Sequence, residues 1–216
     1  MRQADGEFAL EATGLACLKG ERMLFRGLGM QVARGQMLRL AGTNGIGKTS
    51  LLRILAGLAV PEEGAVCWHG RSISEHPEAF QRDSLYLGHA LALNEGLTPL
   101  ENLRFAAACA GDSSAVSHCA DALARLGMAG QMHLPVSVLS QGQRRRAALA
   151  RLPLSHARSL WMLDEPFAAL DADAIAIVAE MLHAHCAKGG LVVMITHQDA
   201  VDAQAVAVLD VGAWVC

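Results

Sequence analysis

The stretch GTNGIGKT at residues 42–49 constrains the fold of this chain more than any other part of the sequence. It matches the pattern GxxxxGK[ST] at every fixed position. An apolar segment typical of a strand precedes it, and an apolar segment typical of a helix, KTSLLRILAGL, overlaps its end and continues beyond it. A strand, a glycine-rich loop and a helix in this order predict a phosphate-binding loop. The alternative is an ordinary glycine-rich turn, which this context disfavours.

The residue types in this loop suit the binding of phosphate groups. Glycines let consecutive main-chain N–H groups converge on phosphate oxygens, and Lys48 brings a positive charge to the β- and γ-phosphates. The hydroxyl of Thr49 can bind Mg²⁺. The predicted phosphate-binding residues are Gly42, Thr43, Asn44, Gly45, Ile46, Gly47, Lys48, Thr49 and Ser50.

The rest of the chain alternates between strand and helix patterns. Near-continuous apolar strands separated by helices indicate a largely parallel sheet covered on both faces, hence an α/β fold class. We expect a single domain over residues 1–216. An alanine-rich, helical stretch opens with TPLE at residues 98–101, a capping box with proline at the first helical position. It predicts a helical subdomain inserted at about residues 91–150.

Two acids end the apolar segment SLWMLDE at residues 159–165. A strand with this ending presents a carboxylate at the carboxyl edge of the sheet, where ligands of such sheets bind. We expect Asp164 to hold Mg²⁺ through water. Glu165 would act as general base toward a water that attacks the γ-phosphate. Acids commonly end strands, so the prediction depends on the phosphate-binding loop upstream.

Charge and composition narrow the function classes. The formal net charge is −3, which disfavours nucleic acid as a partner, although three arginines stand together at residues 144–146. Consecutive helical residues point about 100° apart, so we expect structural or solvent-exposed roles for these arginines. No apolar run approaches the roughly 20 residues of a membrane span, and the start MRQADGEFALEATG lacks the pattern of an export signal. We therefore expect a cytoplasmic chain without direct lipid insertion.

The six cysteines stand singly, without the close pairs of a zinc site. Buried free thiols are the preferred interpretation. The tightest group of metal-ligand types is His183, His185 and Cys186 in LHAHCAK. A helix sends adjacent positions to different faces, which disfavours a metal site there.

The segment LSQGQ at residues 139–143 resembles the LSGGQ signature of the ATP-binding-cassette (ABC) ATPases, with Gln141 where the consensus has glycine. In this family the signature meets the γ-phosphate of an ATP that the other protomer of a dimer binds. A helix N-terminus suits that role because it offers unpaired N–H donors and a positive dipole end. The resemblance implies ATP and Mg²⁺ as ligands, a homodimer, and nucleotide contacts from Ser140, Gly142 and Gln143.

The resemblance extends to the fold and to later segments. It implies a P-loop NTPase of the ABC type, with a parallel sheet core, an antiparallel β subdomain and an inserted helical subdomain. The stretch FAALD at residues 167–171 matches the D-loop that lines the dimer interface, and His197 matches the histidine that senses the γ-phosphate.

Two positions depart from the family pattern. Where the strand LYLGH enters the helical subdomain, the family has glutamine, and the candidates here are His89 and Ala90. The family also stacks an aromatic ring on adenine from a strand upstream of the phosphate-binding loop. Between Phe8 and Phe25 this chain has no aromatic residue, which leaves Leu18 or the stem of Lys19.

The whole chain is similar to the ATPase subunits of bacterial haem exporters used in cytochrome c maturation. The stretches that carry this similarity are LFRGL, LTPLENLRF, LSQGQRRRAALARL, LWMLDEPF and THQ. It implies integral-membrane partner subunits and a peripheral position on the cytoplasmic face of the inner membrane. It also implies that hydrolysis is coupled to release of a haem-loaded periplasmic chaperone.

Three alternatives stay open at this point. The first is the ATPase of another small importer or exporter. The second is a soluble, non-transport ABC ATPase, although the long heptad insertions of chromosome and repair ATPases are absent from the sequence. The third is an inactive regulatory cassette, which the presence of Lys48, Asp164, Glu165 and His197 disfavours.

Overall fold

The computed structural model describes residues 8–111, 113–198, 200–202 and 205–215. This part of the chain contains nine strands and eight α-helices. The strands are β1 (Phe8–Lys19), β2 (Arg22–Ala33), β3 (Met37–Ala41), β4 (Glu63–Trp68), β5 (Arg71–Ser72), β6 (Ser84–Leu87), β7 (Leu160–Asp164), β8 (Leu191–Ile195) and β9 (Val206–Asp210). The helices are α1 (Lys48–Leu55), α2 (Pro77–Asp83), α3 (Pro99–Cys109), α4 (Ser113–Ser117), α5 (Cys119–Arg125), α6 (Gln141–Leu149), α7 (Arg151–Leu154) and α8 (Ala172–Ala187).

The chain divides into two compact units. The first contains residues up to Tyr86, Arg158–Asp164 and residues from His185 onward, and the second contains Leu87–Ala157 and Glu165–Ala184. The sequence predicts a single domain with a helical subdomain at about residues 91–150, and these bounds stay a prediction. The expected absence of an export signal depends on the start of the chain. Residues 1–7 of that segment lie outside the described residues.

A five-stranded sheet in the order β6-β7-β8-β3-β9 forms the centre of the first unit. β3 pairs in parallel with β8 and β9, and β7 pairs in parallel with β8. Every residue of β7 and β8 is buried. Fully buried strands read as continuous apolar runs, so the sequence pattern predicts them well. The α/β class and the largely parallel sheet are confirmed.

A four-stranded antiparallel sheet, in the order β2-β1-β4-β5, completes the strands of the first unit. β1 and β2 are long and run side by side from the pair Phe8–Ala33 to the pair Lys19–Arg22, with several register shifts between. In the sequence, GMQVA at the end of β2 is typical of a strand, and GAVCWHGRSI, which spans nearly all of β4 and the whole of β5, is typical of a strand or hairpin. Gly14 and Gly27 adopt left-handed φ angles of 62° and 71° inside these strands, so the alternation of buried and exposed residues that identifies a strand is interrupted.

A large apolar core lies in the first unit. Its fully buried members include Phe25 on β2 and Leu51, Leu52 and Leu55 on α1. Apolar residues of β7 and β8 belong to the same cluster. Because α1 begins directly after the phosphate-binding loop, its buried leucines fix the position of that loop at the sheet.

The second unit is mainly helical. α3 begins with the capping box that the sequence predicts: Thr98 accepts a hydrogen bond from the Glu101 N–H, and the Glu101 carboxylate accepts one from the Thr98 N–H. Buried Asn102 donates to the carbonyls of Asn94 and Thr98 at 3.0 Å and accepts from the Asn94 N–H at 2.7 Å. These bonds attach the loop before α3 to the helix.

The cluster LHAHCAK lies at the end of α8. His183 is exposed, whereas His185 is buried and stacks on Trp161, with ring centroids 3.8 Å apart and planes 8° from parallel. The Cys186 thiol lies 3.6 Å from the carbonyl of Gln36, and burial raises its pKa to about 11. Among the described residues, no three His, Cys, Asp or Glu side chains are grouped so that they could hold a metal ion.

The environment of His185 predicts acid sensitivity of the first unit. Burial lowers the pKa of His185 below its ordinary 6.5, so the unfolded chain binds the proton more tightly. The stabilisation from neutral His185 is therefore complete above about pH 6.5 and decreases as pH falls toward the folded-state pKa. We expect His185→Phe to show a smaller loss of free energy of unfolding than wild type between about pH 7 and pH 5. Denaturant titrations at both pH values measure this, and equal losses would contradict it.

No helix in the described part of the chain is long and apolar enough to cross a membrane.

Candidate active site

The predicted site residues of the first unit gather at one edge of the parallel sheet. Strand β8 lies between β7 and β3, with Asp164 opposite Ile195 and Met194 opposite Arg39. Because the three strands are parallel, their carboxyl ends meet at the same edge. Asp164 is the last residue of β7, His197 follows β8 by two residues, and the phosphate-binding loop follows β3.

The phosphate-binding loop has a compact, glycine-dependent shape. Gly42, Gly45 and Gly47 adopt φ angles of 131°, 78° and 113°. A Cβ on Gly47 would also come within 3.2 Å of Leu24 Cβ and Phe25 Cδ1 in the core. Side chains other than glycine are therefore excluded at this position by both conformation and space.

Lys48 begins α1 and is 8% exposed. Its ammonium donates hydrogen bonds to the carbonyl of Gly42 at 2.7 Å and to that of Thr43 at 3.1 Å. The positive charge of Lys48 is therefore held at the loop by two main-chain carbonyls of the loop itself. The N–H groups of the first helical turn have no partner inside the helix, so lysine and helix terminus together favour an anion here.

Asp164 and Thr49 are the two residues of this edge that the sequence predicts to bind Mg²⁺. The Asp164 carboxylate is 3% exposed, and Thr49 stands exposed in the first turn of α1. The charge of Asp164 affects nearby Tyr86. Burial raises the pKa of Tyr86, and the negative charge of Asp164 raises this pKa further. A carboxylate and a hydroxyl are ligands of the kind that Mg²⁺ takes in phosphate-binding sites.

His197 is exposed just beyond the end of β8. Thr196, which is buried, accepts a hydrogen bond from the Gln198 N–H through its hydroxyl at 3.1 Å. With this hydrogen bond the chain turns after the last residue of β8, at the carboxyl edge of the sheet. His197 thus lies directly beyond an apolar strand, and its place beside the phosphates and its sensing role stay predictions.

The chain passes from the first unit to the second between Asp164 and Glu165. Glu165 has a φ of 52°, in the left-handed region. Residues with a Cβ enter this region at a cost of roughly 1–2 kcal/mol. The Glu165 carbonyl accepts one hydrogen bond from the Ala168 N–H at 3.2 Å and a second from the guanidinium of buried Arg145. Both bonds lie within the second unit and hold this conformation.

Ser140 caps the N-terminus of α6. Its hydroxyl accepts a hydrogen bond from the Gln143 N–H at 3.2 Å, and the Gln143 side chain accepts one from the Ser140 N–H at 2.9 Å. Ser140 is exposed, and its hydroxyl proton can still be donated to an anion. The signature segment thus forms a capped helix start, where the sequence predicts a helix terminus.

The arginines at residues 144–146 have structural roles, which confirms the sequence interpretation. Arg144 donates to the carbonyls of Leu139 and Ser137 and pairs with Glu95. Arg145 donates to the Glu165 carbonyl, and Arg146 pairs with the carboxylate of Asp171. Their guanidinium groups are each used to connect α6 to other segments of the second unit.

The loop at residues 165–171, which we call the Glu165 loop, contains the D-loop sequence. Phe167 in it is fully buried, and Ala169 has a left-handed φ of 61°. At its end, the Asp171 side chain accepts a hydrogen bond from the Ala174 N–H at 3.0 Å and so caps α8. That hydrogen bond lowers the pKa of Asp171, and the charge of Arg146 lowers it further.

The positions that depart from the family pattern are all exposed. His89 and Ala90 lie in the segment after β6, and Leu18 and Lys19 lie at the end of β1. Leu18 is 45% exposed, a large value for leucine.

Two residues of the site are missing from the sequence prediction. Asp210 ends β9 opposite Ala41, and its carboxylate accepts a hydrogen bond from the Gly212 N–H at 2.9 Å. A Cβ on Gly42 would lie 3.4 Å from that carboxylate, so Asp210 borders the phosphate-binding loop. The other is Arg145. The apolar run VAVL before Asp210 is a signal that could have suggested the first, whereas nothing in the sequence distinguishes Arg145 from its neighbours.

Comparison with known proteins agrees with this geometry. The family model described as ABC transporter matches residues 25–168. A cytochrome c biogenesis ATP-binding export protein CcmA from Aromatoleum aromaticum is 62% identical over 201 residues, 93% of this chain and 94% of the relative. A protein of the same name from Dechloromonas aromatica is 49% identical over 88% of this chain and 92% of the relative.

Solved structures agree on the fold. An ATP-binding subunit of an ABC transporter matches with a TM-score of 0.82 and 26% identity, over 94% of this chain and 87% of that one. The ADP conformation of an ATP-binding cassette matches with a TM-score of 0.76 and 21% identity, over 96% and 89%. The chain therefore belongs to the ABC transporter family, as an ATP-binding and ATP-hydrolysing member similar to the cytochrome c biogenesis export proteins.

Proposed function

We propose that this chain is the ATPase subunit of a haem exporter complex of cytochrome c biogenesis. In that complex it binds integral-membrane subunits from the cytoplasmic face of the inner membrane. Its hydrolysis of ATP powers the release of a haem-loaded periplasmic chaperone. The observation that carries the proposal is the 62% identity to an export protein of this pathway along nearly the full length of both chains.

The sheet edge supports the chemistry of hydrolysis. Lys48 and the loop amides bind the β- and γ-phosphates of ATP. The buried leucines of α1 keep these binding groups in place. Thr49 would bind Mg²⁺ through its hydroxyl, and Asp164 would hold the ion through water. The ion would neutralise phosphate charge when bound. A water attacks the γ-phosphorus, its proton passes to the Glu165 carboxylate, and the bond to ADP breaks.

Two chains complete the sites. We place the Ser140 helix start of one chain against the γ-phosphate that the loop of the other chain binds. The capping box supports this role because it leaves the Ser140 hydroxyl proton and the first amides of α6 to face an anion. Each ATP is then enclosed by a closed dimer with two-fold symmetry.

Complementation tests the proposed pathway. In a bacterium whose own haem exporter ATPase gene is deleted, the chain should restore covalent haem in c-type cytochromes, measured by haem staining of membrane proteins. The Glu165→Gln variant should fail to restore it while still co-purifying with polytopic membrane proteins. Restoration by Glu165→Gln would contradict the proposal, as would wild-type chain that restores nothing although it is folded and bound to those proteins.

A further inference from the structure

One face of α6 contacts the Glu165 loop at three points. Arg145 binds the Glu165 carbonyl at the start of the loop, and Arg146 binds the Asp171 carboxylate at its end. In the middle, Gly142 lies so close to Ala169 that a Cβ would come within 2.6 Å of the Ala169 carbonyl oxygen. Positions i, i+3 and i+4 of a helix share one face, so these three contacts form one continuous attachment.

Arg145 is more deeply buried than Arg146, the other arginine of this attachment. It is 7% exposed, whereas the side chain of Arg146 is 20% exposed. Its partner is a main-chain carbonyl, so the bond fixes the backbone of Glu165. That backbone is in the left-handed region, which a glutamate seldom adopts without such support.

We propose that Arg145 is a positioning residue for Glu165. By holding the Glu165 carbonyl it fixes the left-handed main chain, and the main chain sets the direction in which the carboxylate leaves the backbone. A general base must lie within hydrogen-bond reach of its water, so a change of backbone region at this residue would move the carboxylate out of reach. The inference rests on the proposed role of Glu165 as general base.

The guanidinium is suited to this task because its donors form a rigid planar fork. Lysine keeps the charge and can reach a single carbonyl, but its donors rotate freely. Methionine has a similar length without any donor. Lysine at this position should therefore preserve part of the positioning, and methionine none of it.

The test compares turnover and nucleotide affinity in the full-length chain. We expect Arg145→Met to lower kcat by roughly 10–10²-fold, with the Kd for ATP within about threefold of wild type. Arg145→Lys should recover part of the lost kcat. The matched control is Arg158→Met, because Arg158 also holds main-chain carbonyls, those of Gln81 and Ser84 at 2.5 Å. It should keep kcat within about twofold.

A double-mutant cycle separates positioning from general damage. If Arg145 acts through the Glu165 carboxylate, then Arg145→Met should lower single-turnover hydrolysis very little in a chain that already carries Glu165→Gln. Losses that multiply in the double variant would overturn the proposal. So would wild-type kcat in folded Arg145→Met, or a raised KM with unchanged kcat. If Arg145→Met does not fold, Arg145→Lys replaces it in the cycle with Glu165→Gln. Losses that multiply in that double variant would likewise overturn the proposal.

The cycle also distinguishes the two levels of the proposal. Wild-type turnover in Glu165→Gln alone would remove the general base and the present inference with it. Strong loss in Glu165→Gln, combined with multiplying losses for Arg145→Met, would retain the base and reject its positioning by Arg145.

Discussion

Glu165→Gln should lower the rate of ATP turnover by roughly 10²–10⁴-fold and leave ATP binding in place. Glutamine keeps the size of glutamate, and the turn at residues 165–168 is closed by a main-chain hydrogen bond from the Ala168 N–H to the residue 165 carbonyl, so this turn should persist. It cannot accept the proton of the attacking water, and only the chemical step is lost. Steady-state hydrolysis and equilibrium binding of ATP, measured on the same preparation, check both parts.

The control for this substitution is Glu180→Gln, which makes the same change at an exposed position on α8. It should turn over ATP at the wild-type rate. A Glu165→Gln variant that binds ATP weakly but hydrolyses the bound nucleotide normally would show that Glu165 is not the base.

Lys48→Ala should weaken Mg·ATP binding by about 10–10²-fold, because hydrogen bonds to a charged group contribute roughly 1.5–3 kcal/mol each. The substitution also removes the donor to the Gly42 and Thr43 carbonyls, so the loop itself loosens. Because the fully buried leucines of α1 remain, the fold should be retained. Calorimetric titration with Mg·ATP measures the loss, and circular dichroism confirms folding.

The sheet-edge part of the site could be predicted from the sequence because each residue there follows an apolar strand directly. Asp164 ends β7, and His197 comes two residues after β8. In parallel sheets the carboxyl ends of neighbouring strands meet, so identifying the strands is enough to bring these residues together. The capping box at Thr98 could be predicted for a similar reason, since its partner is three residues away. The box at Ser140 has the same spacing, although only a helix start is predicted there from the sequence.

The support of Glu165 could not be predicted in this way. Its bond to Arg145 joins residues 20 positions apart, and it depends on the path of a loop with two left-handed residues, Glu165 and Ala169. Neither glutamate nor alanine is a residue type that predicts a positive φ. The sequence shows only that three consecutive arginines point in different directions, and tertiary packing decides what each one binds.

Strand β1 illustrates the same limit in the fold. Its residues alternate between buried and exposed only in short pieces, because Gly14 and the register shifts against β2 break the period. Strand β1 therefore follows from the structure and not from periodicity, and the family resemblance implies the antiparallel subdomain as a whole.

Mixing two inactive variants tests most directly whether the site is shared between two chains. Homodimers of Lys48→Ala and of Ser140→Arg should both be nearly inactive, because every site carries a defect. In a mixed dimer one site carries both defects and the other carries none. Half of the dimers in an equal mixture are mixed, and each has one intact site, so hydrolysis should recover to about a quarter of the wild-type rate.

The matched control is a chain with both substitutions, mixed with Lys48→Ala, in which no intact site can form. Differently tagged chains, captured together, establish that mixed dimers are present in each sample. Recovery in the first mixture, with none in the control, is the result we predict for an ATP held between the Lys48 loop of one chain and Ser140 of the other. Absence of recovery at every ratio, with mixed dimers captured, would contradict it.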